Sequence, residues 1–503
     1  MKLVSCATYE GIDAKVVQVE STLTKGLPSF SIVGIASTSI NEAKERVKSA
    51  LLSNEFSFPP KRITINLAPS DMKKEGSQFD LSIALLIALN HLKSDFSKWF
   101  VFGELGLNGN VKENIQLYPL ILSLAKQKLL KKVIVPYEAL PKLSKIPDIK
   151  FYGVKTLQET IELLKNQNDA MPNMKINKIE HPSYIINNEE FYFIKDYKED
   201  FKDVKGQERA KRASLVSVAG FHNIIFEGSP GCGKSMIAKR LRYILPPLSS
   251  DEILDIAKLQ VLEGNEPDFK PLRTFKSPHH TSTPGSIFGG GSHKAMIGEV
   301  GLAHKGILFF DELPHFSKNI LEALREPMQD NKIRISRVNT KVEYPSDFLF
   351  IGAMNPCPCG NLLNEHLECR CSDLEIQKYK NKLSEPFLDR IDLNVTMQNI
   401  SPDDKTSVSS EDLHKKVIEV HKITKKRGQN NFNAKLSDEE IEKFCILDKD
   451  AKETLDTALQ RFALSFRSIK KIKKVGRTIA DLDNSILIEK QHILEALSYR
   501  RRS

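Results

Sequence analysis

The sequence predicts an α/β protein with a helical C-terminal region, and three observations support this prediction. Short apolar runs alternate with amphipathic stretches over residues 1–165, as in a mixed α/β domain. An apolar run, a glycine-rich turn and a helical segment follow one another in HNIIFEGSPGCGKSMIAKRL, and two more apolar runs, GILFFDE and DFLFIGAMNP, fit a parallel sheet covered by helices. After residue 401 the chain is charged and offers helical segments only.

The length of 503 residues corresponds to about three domains. We predict a mixed α/β domain over residues 1–165, an α/β core over 197–400 and a small all-α domain over 401–503. Residues 166–196 are predicted to be a linker, because this segment is polar and contains prolines but has no sustained period.

The composition favours a cytoplasmic protein without a membrane partner. The longest apolar stretch, LSIALLIAL, is far shorter than the roughly 20 residues that cross a bilayer, and the N-terminus lacks the apolar core of a signal peptide. Seven cysteines in so long a chain are typical of a reducing compartment. The net charge of +10 permits a nucleic-acid partner without requiring one.

The segment GSPGCGKS matches the phosphate-loop pattern G-x-x-x-x-G-K-[ST] between a strand and a helix. In such a loop the glycines let backbone N–H groups converge on phosphates, Lys234 supplies charge and the Ser235 hydroxyl ligates Mg²⁺. The sequence therefore predicts a site for ATP and Mg²⁺. Its predicted residues are Gly228, Ser229, Pro230, Gly231, Cys232, Gly233, Lys234 and Ser235.

The segment GILFFDEL places two acids directly after a buried strand. Because these acids follow a phosphate loop in the sequence, we expect Asp311 to hold Mg²⁺ through water and Glu312 to activate the attacking water as a general base.

These motifs, with DVKGQERAKRA, SPHHT, AMNPCPCG, EPFLDRIDL and LSFRS, resemble those of AAA+ ATPases of the magnesium-chelatase-like group, and closely those of the YifB/ComM family. The N-terminal LPSFSIVGIA and KKEGSQFDLSIAL match that family too, so the resemblance covers nearly the whole chain. It implies an AAA+ P-loop core with a C-terminal helical lid, and ATP hydrolysis.

Three further roles are implied by this resemblance. Asn355 occupies the sensor-1 position, where its amide would orient the water at the γ-phosphate. Arg390 sits at the position of an arginine finger, which reaches the nucleotide of a neighbouring subunit, and Arg467 matches the sensor-2 arginine of the lid. The resemblance thus implies a homo-oligomeric ring, a hexamer.

Four of the seven cysteines fall within fifteen residues as two C-x-C pairs. Four thiolates suit a tetrahedral Zn²⁺ ion, although C-x-x-C is the commoner spacing, so reduced thiols or a redox-sensitive pair remain alternatives. The cysteines are Cys357, Cys359, Cys369 and Cys371.

The N-terminal domain resembles the proteolytic domain of Lon, a ribosomal-protein-S5-like α/β fold, in KKEGSQFDLSIAL and FGELGLNGNVKENIQLYPL. Proteolysis of that type needs a serine and a lysine. The serine position falls on Gln78, with Ser77 one place out of register, and the lysine position falls near Tyr118, with Lys112 too early. We expect a scaffold without protease activity.

The segment EPMQDNKIRISRVNTKVEY predicts a β-hairpin before the sensor-1 strand. In related DNA-translocating ATPases a hairpin at this place points into the central pore. The basic residues of this hairpin suit a phosphate backbone, with no aromatic residue for base stacking, so sequence-independent DNA binding is expected. A solvated charged hairpin is the alternative. The predicted DNA contacts are Lys332, Arg334, Arg337 and Lys341.

Three functions are compatible with these features. The resemblance to the YifB/ComM family implies a helicase-like DNA motor that promotes branch migration during recombination of incoming DNA in competence. The alternatives are a magnesium-chelatase-type motor subunit and a protein-remodelling ATPase, neither with a role on DNA.

Overall fold

The computed structural model describes residues 2–11, 13–35, 38–56, 58–92, 94–166, 170–173, 179–290, 296–336, 341–364, 367–401, 404–462 and 465–501. The chain forms two compact units. One comprises Met1–Glu180 with Ala257–Phe269, and the other comprises His181–Ile256 with Lys270–Ser503. The division at residue 180 falls inside the segment predicted to be a linker.

The first unit is built on a seven-stranded mixed sheet with strand order β3-β4-β2-β1-β5-β8-β9. Its strands are β1 (Lys2–Glu10), β2 (Asp13–Thr24), β3 (Ser29–Val33), β4 (Arg62–Ala68), β5 (Trp99–Val101), β6 (Glu104–Leu105), β7 (Val111–Lys112), β8 (Lys132–Pro136) and β9 (Lys150–Val154). Its helices are α1 (Thr38–Ser53), α2 (Asp80–Ala88), α3 (Leu117–Lys126), α4 (Leu140–Leu143) and α5 (Leu157–Lys165).

The short apolar runs predicted in this region, SFSIVGI, RITINLA, KWFVFGEL, KKVIVPY and KFYGV, contain strands β3, β4, β5, β8 and β9. Nearly all residues of helix α2 are buried, which explains why the helix is apolar on all sides. Its one buried carboxylate, Asp80, pairs with Arg46 at 2.6 Å. The antiparallel pair β1 and β2 was not predicted.

The second unit contains the remaining elements, although α8 continues into the first unit's segment Ala257–Phe269. Its strands are β10 (Ser183–Ile186), β11 (Glu189–Tyr192), β12 (Ile224–Glu227), β13 (Leu248–Ser249), β14 (Phe275–Lys276), β15 (Gly289–Gly290), β16 (Met296–Ile297), β17 (Ile307–Phe310), β18 (Lys332–Ser336), β19 (Lys341–Pro345), β20 (Leu349–Met354) and β21 (Leu393–Thr396). Its helices are α6 (Glu208–Gly220), α7 (Lys234–Leu241), α8 (Ser250–Leu262), α9 (Pro284–Phe288), α10 (Glu299–Leu302), α11 (Lys318–Ala323), α12 (Arg325–Asp330), α13 (Asp373–Lys380), α14 (Glu385–Leu388), α15 (Ser410–Lys426), α16 (Asp438–Phe444), α17 (Lys449–Phe462), α18 (Phe466–Leu482) and α19 (Lys490–Ser498).

Five parallel strands form the central sheet of the second unit in the order β14-β17-β20-β12-β21. Strands β17 and β20 are buried throughout, as expected for strands covered on both faces. Glu227 at the end of β12 lies opposite Met354 at the end of β20. The loops that follow these two strands therefore start side by side at the carboxyl edge of the sheet, where open α/β sheets bind ligands.

The C-terminal part is helical, as predicted, with no strand among its described residues from 404 to 501. Its helices share one buried core with the sheet: Val417 of α15 and Ile479 of α18 belong to the same apolar cluster as Ile224 and Leu349. The lid is thus packed directly on the core domain.

The segment predicted to be an irregular linker contains the hairpin β10–β11, which pairs with β13. Asn187 and Asn188 both have positive φ, at 51° and 64°, as a two-residue type I′ hairpin turn requires. An Asn-Asn pair between two short apolar runs was the signal that could have predicted this hairpin.

Candidate nucleotide site and metal centre

The predicted phosphate loop connects β12 to α7, and its backbone depends on glycine. Gly231 and Gly233 have φ of 82° and 95°, in the left-handed region that other residues rarely adopt. A Cβ on Gly228 would lie 2.7 Å from the sulfur of Cys232. The glycine pattern therefore reflects steric requirements of this turn.

Lys234 begins α7 and folds back over the loop. Its Nζ donates to the carbonyl oxygens of Gly228 at 2.6 Å and Ser229 at 2.9 Å, and to Oδ1 of Asn355 at 3.1 Å. Burial lowers the pKa of Lys234 from its ordinary value. The sensor-1 candidate and the phosphate-loop lysine are thus in direct contact.

The two candidate magnesium ligands also meet. The Ser235 hydroxyl donates to Oδ2 of Asp311 at 2.7 Å, and Asp311 directly follows β17. A hydroxyl and a carboxylate are the oxygen ligands that Mg²⁺ prefers. The buried hydroxyl of Ser229 has no hydrogen-bond partner among the described residues, so this loop also retains a free polar group. Both features fit a nucleotide with its metal ion.

Glu312 adopts a left-handed backbone conformation, with φ of 50°, and its N–H donates to Oδ1 of Asp311. Its carboxylate is about half exposed and lies 3.5 Å from Nδ1 of His280. The sequence motifs assign no role to His280. The signal that could have found it was the pair His279–His280 shortly after β14, which is the neighbour of β17 in the sheet.

Arg390 and Arg467 lie together, because both reach the side chain of Gln329. Arg390 donates to Oε1 of Gln329 at 2.7 Å, and Arg467 donates to the same oxygen at 3.5 Å. Burial and the adjacent charge of Arg467 lower the pKa of Arg390. Within the described part of the chain, neither guanidinium makes a hydrogen bond or ion pair with the phosphate loop.

The four clustered cysteines converge in space. The Sγ atoms of Cys357 and Cys359 are 3.4 Å apart, and Sγ of Cys369 is 3.7 Å from each of them. With Cys371 included, all four sulfurs lie within 4.8 Å of one another, so the cluster could hold a metal ion. Hydrogen bonds from the backbone amides of Asn361 and Arg370 lower the pKa of Cys359 to about 6.

The predicted basic hairpin is the antiparallel pair β18–β19, with Arg334 opposite Glu343. Glu343 accepts from Arg334 at 3.2 Å and pairs with Lys332 at 2.6 Å. The sequence prediction did not include this neutralising carboxylate. Arg337 lies outside the described residues, and of Lys341 only the backbone is described.

In the N-terminal unit, the residues at the protease-like positions make structural contacts. Gln78 donates to the carbonyl oxygens of Ala7 and Glu75, and the Ser77 hydroxyl donates to Glu104. The ring of Tyr118 packs edge-on against Phe269, 5.4 Å between centroids. No hydrogen bond between Ser77 and a lysine is found among the described residues.

None of the helices formed by the described residues is long and apolar enough to cross a membrane.

An all-parallel sheet with a phosphate loop after one strand and an acid pair after another defines the class of P-loop ATPases. Three family models match consecutive parts of the chain, and all describe magnesium chelatase subunit ChlI: residues 19–139, 200–405, and 407–500, the last as its C-terminal part. The chain has a ChlI domain, a magnesium-chelatase ATPase domain and a helical C-terminal domain.

Full-length relatives define the family more narrowly. Competence protein ComM of Haemophilus influenzae is 38% identical, covering 97% of this chain and 95% of the relative. The uncharacterized protein YifB of Escherichia coli is 36% identical with the same coverage. The magnesium-chelatase 67 kDa subunit of Heliobacterium mobile is 24% identical over 33% of this chain. The chain belongs to the ComM/YifB family of magnesium-chelatase-like ATPases.

Proposed function

We propose that the protein is a ring-forming, ATP-driven DNA motor that promotes branch migration when incoming DNA is recombined. The observation that carries this proposal is the 38% identity to a competence protein along 97% of the chain. The motor has three parts: a nucleotide site, arginines that act on a neighbouring subunit, and a surface for DNA.

At the nucleotide site, Lys234 exchanges its contacts with the loop carbonyls for the β- and γ-phosphates of ATP. Ser235 and Asp311 would hold Mg²⁺, and the bound ion would supply positive charge against the charge that develops on the phosphates. Glu312 accepts the proton of the attacking water, and Asn355, already bonded to Lys234, orients that water. A helix N-terminus directly behind the loop favours the bound anion.

Arg390 and Arg467 complete the site of the adjacent subunit. Both side chains reach Gln329, and among the described residues neither contacts the phosphate loop of its own chain. This arrangement supports action in trans. A guanidinium that approaches the γ-phosphate stabilises the charge of the transition state. Hydrolysis then depends on ring assembly, which we take to be hexameric.

The hairpin β18–β19 provides the DNA contact. Lys332, Arg334, Arg337 and Lys341 make salt-dependent contacts with the phosphate backbone and read no base sequence. The ChlI-like N-terminal domain serves as a scaffold of Lon-protease-like fold without peptidase activity, since the serine position holds Gln78, which is committed to backbone hydrogen bonds.

The test compares wild type with Glu312→Gln in two assays, ATP turnover and movement of a four-way DNA junction. We expect forked or four-way DNA to raise wild-type turnover, and the variant to bind ATP without moving the junction. A wild type that ignores DNA but is stimulated by a porphyrin-binding partner would favour the chelatase-type function that the Heliobacterium relative suggests. Stimulation by unfolded protein alone would favour a protein-remodelling ATPase.

A further inference from the structure

The four-cysteine cluster lies between β20, which ends in the sensor-1 residue, and α13. We infer that Cys357, Cys359, Cys369 and Cys371 bind one Zn²⁺ ion, and that this centre holds Asn355 and the phosphate loop in their working positions. The second half of this inference, the effect on the ATP site, rests on the ATP hydrolysis proposed above. The first half, zinc binding, is independent of it.

The sulfur spacing matches a single tetrahedral ion. Four thiolates at the usual Zn–S distance of about 2.3 Å lie about 3.8 Å from one another. The distances that involve Cys357, Cys359 and Cys369 are 3.4, 3.7 and 3.7 Å. A polynuclear iron–sulfur cluster would hold its cysteines farther apart, and a set of soft sulfur ligands in tetrahedral arrangement selects zinc over magnesium or calcium.

The surroundings of the cluster suit a metal site with a negative charge. Four thiolates around Zn²⁺ leave a net charge of −2, which needs nearby donors. Arg370 lies between Cys369 and Cys371 in the chain and so brings a cationic residue next to the cluster. Cys357 is buried whereas Cys359 is exposed, so an ion can enter from the solvent side and be anchored in the core.

The cysteine loop packs directly on the phosphate loop. Gly360 follows Cys359, and a Cβ on Gly360 would lie 2.6 Å from Cδ of Pro230 and 3.9 Å from Cγ of Asn355. Its φ of 82° is also in the region that favours glycine. The segment that carries two of the ligands is therefore in van der Waals contact with the phosphate loop and with Asn355, both of which bind Lys234.

The second cysteine pair, Cys369 and Cys371, is also connected to the region of Asn355, through α13. Cys371 precedes Ser372, which caps α13. On α13, Tyr379 belongs to the same buried cluster as Met354, which precedes Asn355, and Lys380 pairs at 3.2 Å with Glu227, which precedes the phosphate loop. A metal ion that joins the two cysteine pairs thus ties together the two ends of the loop between β20 and α13, next to Asn355. Within the described residues of this loop, hydrogen bonds such as Gly360 N–H to Cys357 O at 3.1 Å join near neighbours in the chain, whereas the ion would join the two cysteine pairs.

Metal content tests the first half of the inference. Elemental analysis of the full-length protein is expected to give one zinc per chain, and the double variant Cys369→Ala/Cys371→Ala is expected to lose it. Cys445→Ala is the matched control, because Cys445 is an isolated cysteine in the helical part, and this variant should keep its zinc. Wild-type protein that contains iron, no metal, or a Cys357–Cys359 disulfide overturns the assignment.

ATP turnover tests the second half. Loss of zinc should lower kcat by on the order of tenfold, the scale of effects from residues that support a catalytic site, and zinc but not additional magnesium should restore turnover to chelator-treated wild type. Gly360→Ala should keep its zinc and also lower kcat, because the new methyl group meets Pro230. Full turnover in zinc-free protein overturns the coupling, even if the zinc count is one. Zinc content and ATP turnover are both measured without DNA. If the protein does not respond to DNA, these two results are unaffected, so failure of the DNA proposal can be distinguished from failure of this inference.

Discussion

Arg390 and Arg467 share one acceptor, Oε1 of Gln329, with donor distances of 2.7 and 3.5 Å. Two guanidinium groups that meet on one neutral oxygen repel each other, and the lowered pKa of Arg390 reflects burial and this neighbour. An anion placed between them would relieve that repulsion. On its own chain, Arg467 has only a long, half-exposed pair with Asp389 at 3.8 Å among the described residues, so the two guanidinium groups can still receive an anion.

We therefore predict that Arg390→Ala and Lys234→Ala each abolish ATP turnover but complement each other when mixed. In a ring of randomly mixed subunits in equal amounts, about a quarter of the interfaces combine an intact phosphate loop with an intact arginine. Turnover of the mixture should exceed that of either variant alone. Mixing Lys234→Ala with Glu312→Gln is the control, because both variants damage the same side of the interface. Equal inactivity of both mixtures would contradict action in trans.

Part of this site could be predicted from the sequence because each motif directly follows an apolar strand. The runs before Gly228, Asp311 and Asn355 became β12, β17 and β20, and their parallel order brings the three motifs to one sheet edge. Contacts between distant segments could not be predicted in this way. The position of His280 against Glu312 depends on how a two-residue strand, β14, joins the sheet.

For the hairpin β18–β19, the strands were predicted from the sequence but the charge pairing between them was not. Alternation of apolar and polar residues predicted β18 and β19, and the register of these two strands places Glu343 opposite Arg334. Counting only the basic residues overestimated the free positive charge of this surface. Strands β1 and β2, by contrast, were not predicted, although Val17 and Val19 of β2 alternate with polar residues as a half-buried strand requires.

His280 is expected to position Glu312 for proton transfer. His280→Ala should lower kcat for ATP by about tenfold with little change in KM, since general-base catalysis depends on the placement of the base and nucleotide binding does not. His280→Asn, whose amide nitrogen can occupy the place of Nδ1, should recover part of the loss. His279→Ala is the matched control, because His279 contacts Thr281 at 2.8 Å. Equal losses in both alanine variants would indicate a merely structural role for the pair.

The N-terminal domain is expected to lack peptidase activity. Its Ser77 hydroxyl is bound to Glu104, and a carboxylate partner cannot make the serine a nucleophile in the way that a neutral lysine does. Fluorogenic peptides and casein should remain intact with ATP present. Cleavage that is stimulated by ATP and lost in Ser77→Ala would overturn this expectation, whereas cleavage that persists in Ser77→Ala would indicate a contaminating protease.

Stability should fall in mild acid because of two buried histidines on α15. Burial lowers the pKa of His414 to about 4 and that of His421 to about 3, and their Nδ1 atoms lie 3.0 and 2.6 Å from the hydroxyls of Tyr197 and Tyr184. In the unfolded chain both titrate near 6.5, so the unfolded state binds more protons below that pH. Their stabilising contribution is thus present above about pH 6.5 and is lost toward pH 4.

Each of these histidines should reduce the free energy of unfolding by about 1.4 kcal/mol per pH unit in that window. Melting temperatures measured from pH 7.5 to 5.5 should therefore decline, and His414→Gln should flatten the decline. His279→Ala, which removes a more exposed histidine, should leave the slope unchanged. A decline that is identical in all three proteins would show that other groups determine the acid sensitivity.

The charge pairing of the hairpin gives a two-sided test of DNA binding. Glu343 neutralises Lys332 and Arg334 at the surface, where such pairs contribute little stability and break readily. Glu343→Gln should free Lys332 and leave Arg334 only its longer pair with Glu326 at 3.9 Å, which raises DNA affinity and steepens the dependence of log K on log salt. Lys332→Gln/Arg334→Gln should do the opposite, and the slope should decrease by about 0.7 to 0.9 for each DNA phosphate that the variant no longer neutralises. The matched control is Glu411→Gln, which releases Lys415 from an exposed pair of 2.8 Å on α15. If Glu343→Gln binds DNA no better than Glu411→Gln, the hairpin does not face DNA, and its charges belong to a solvated surface.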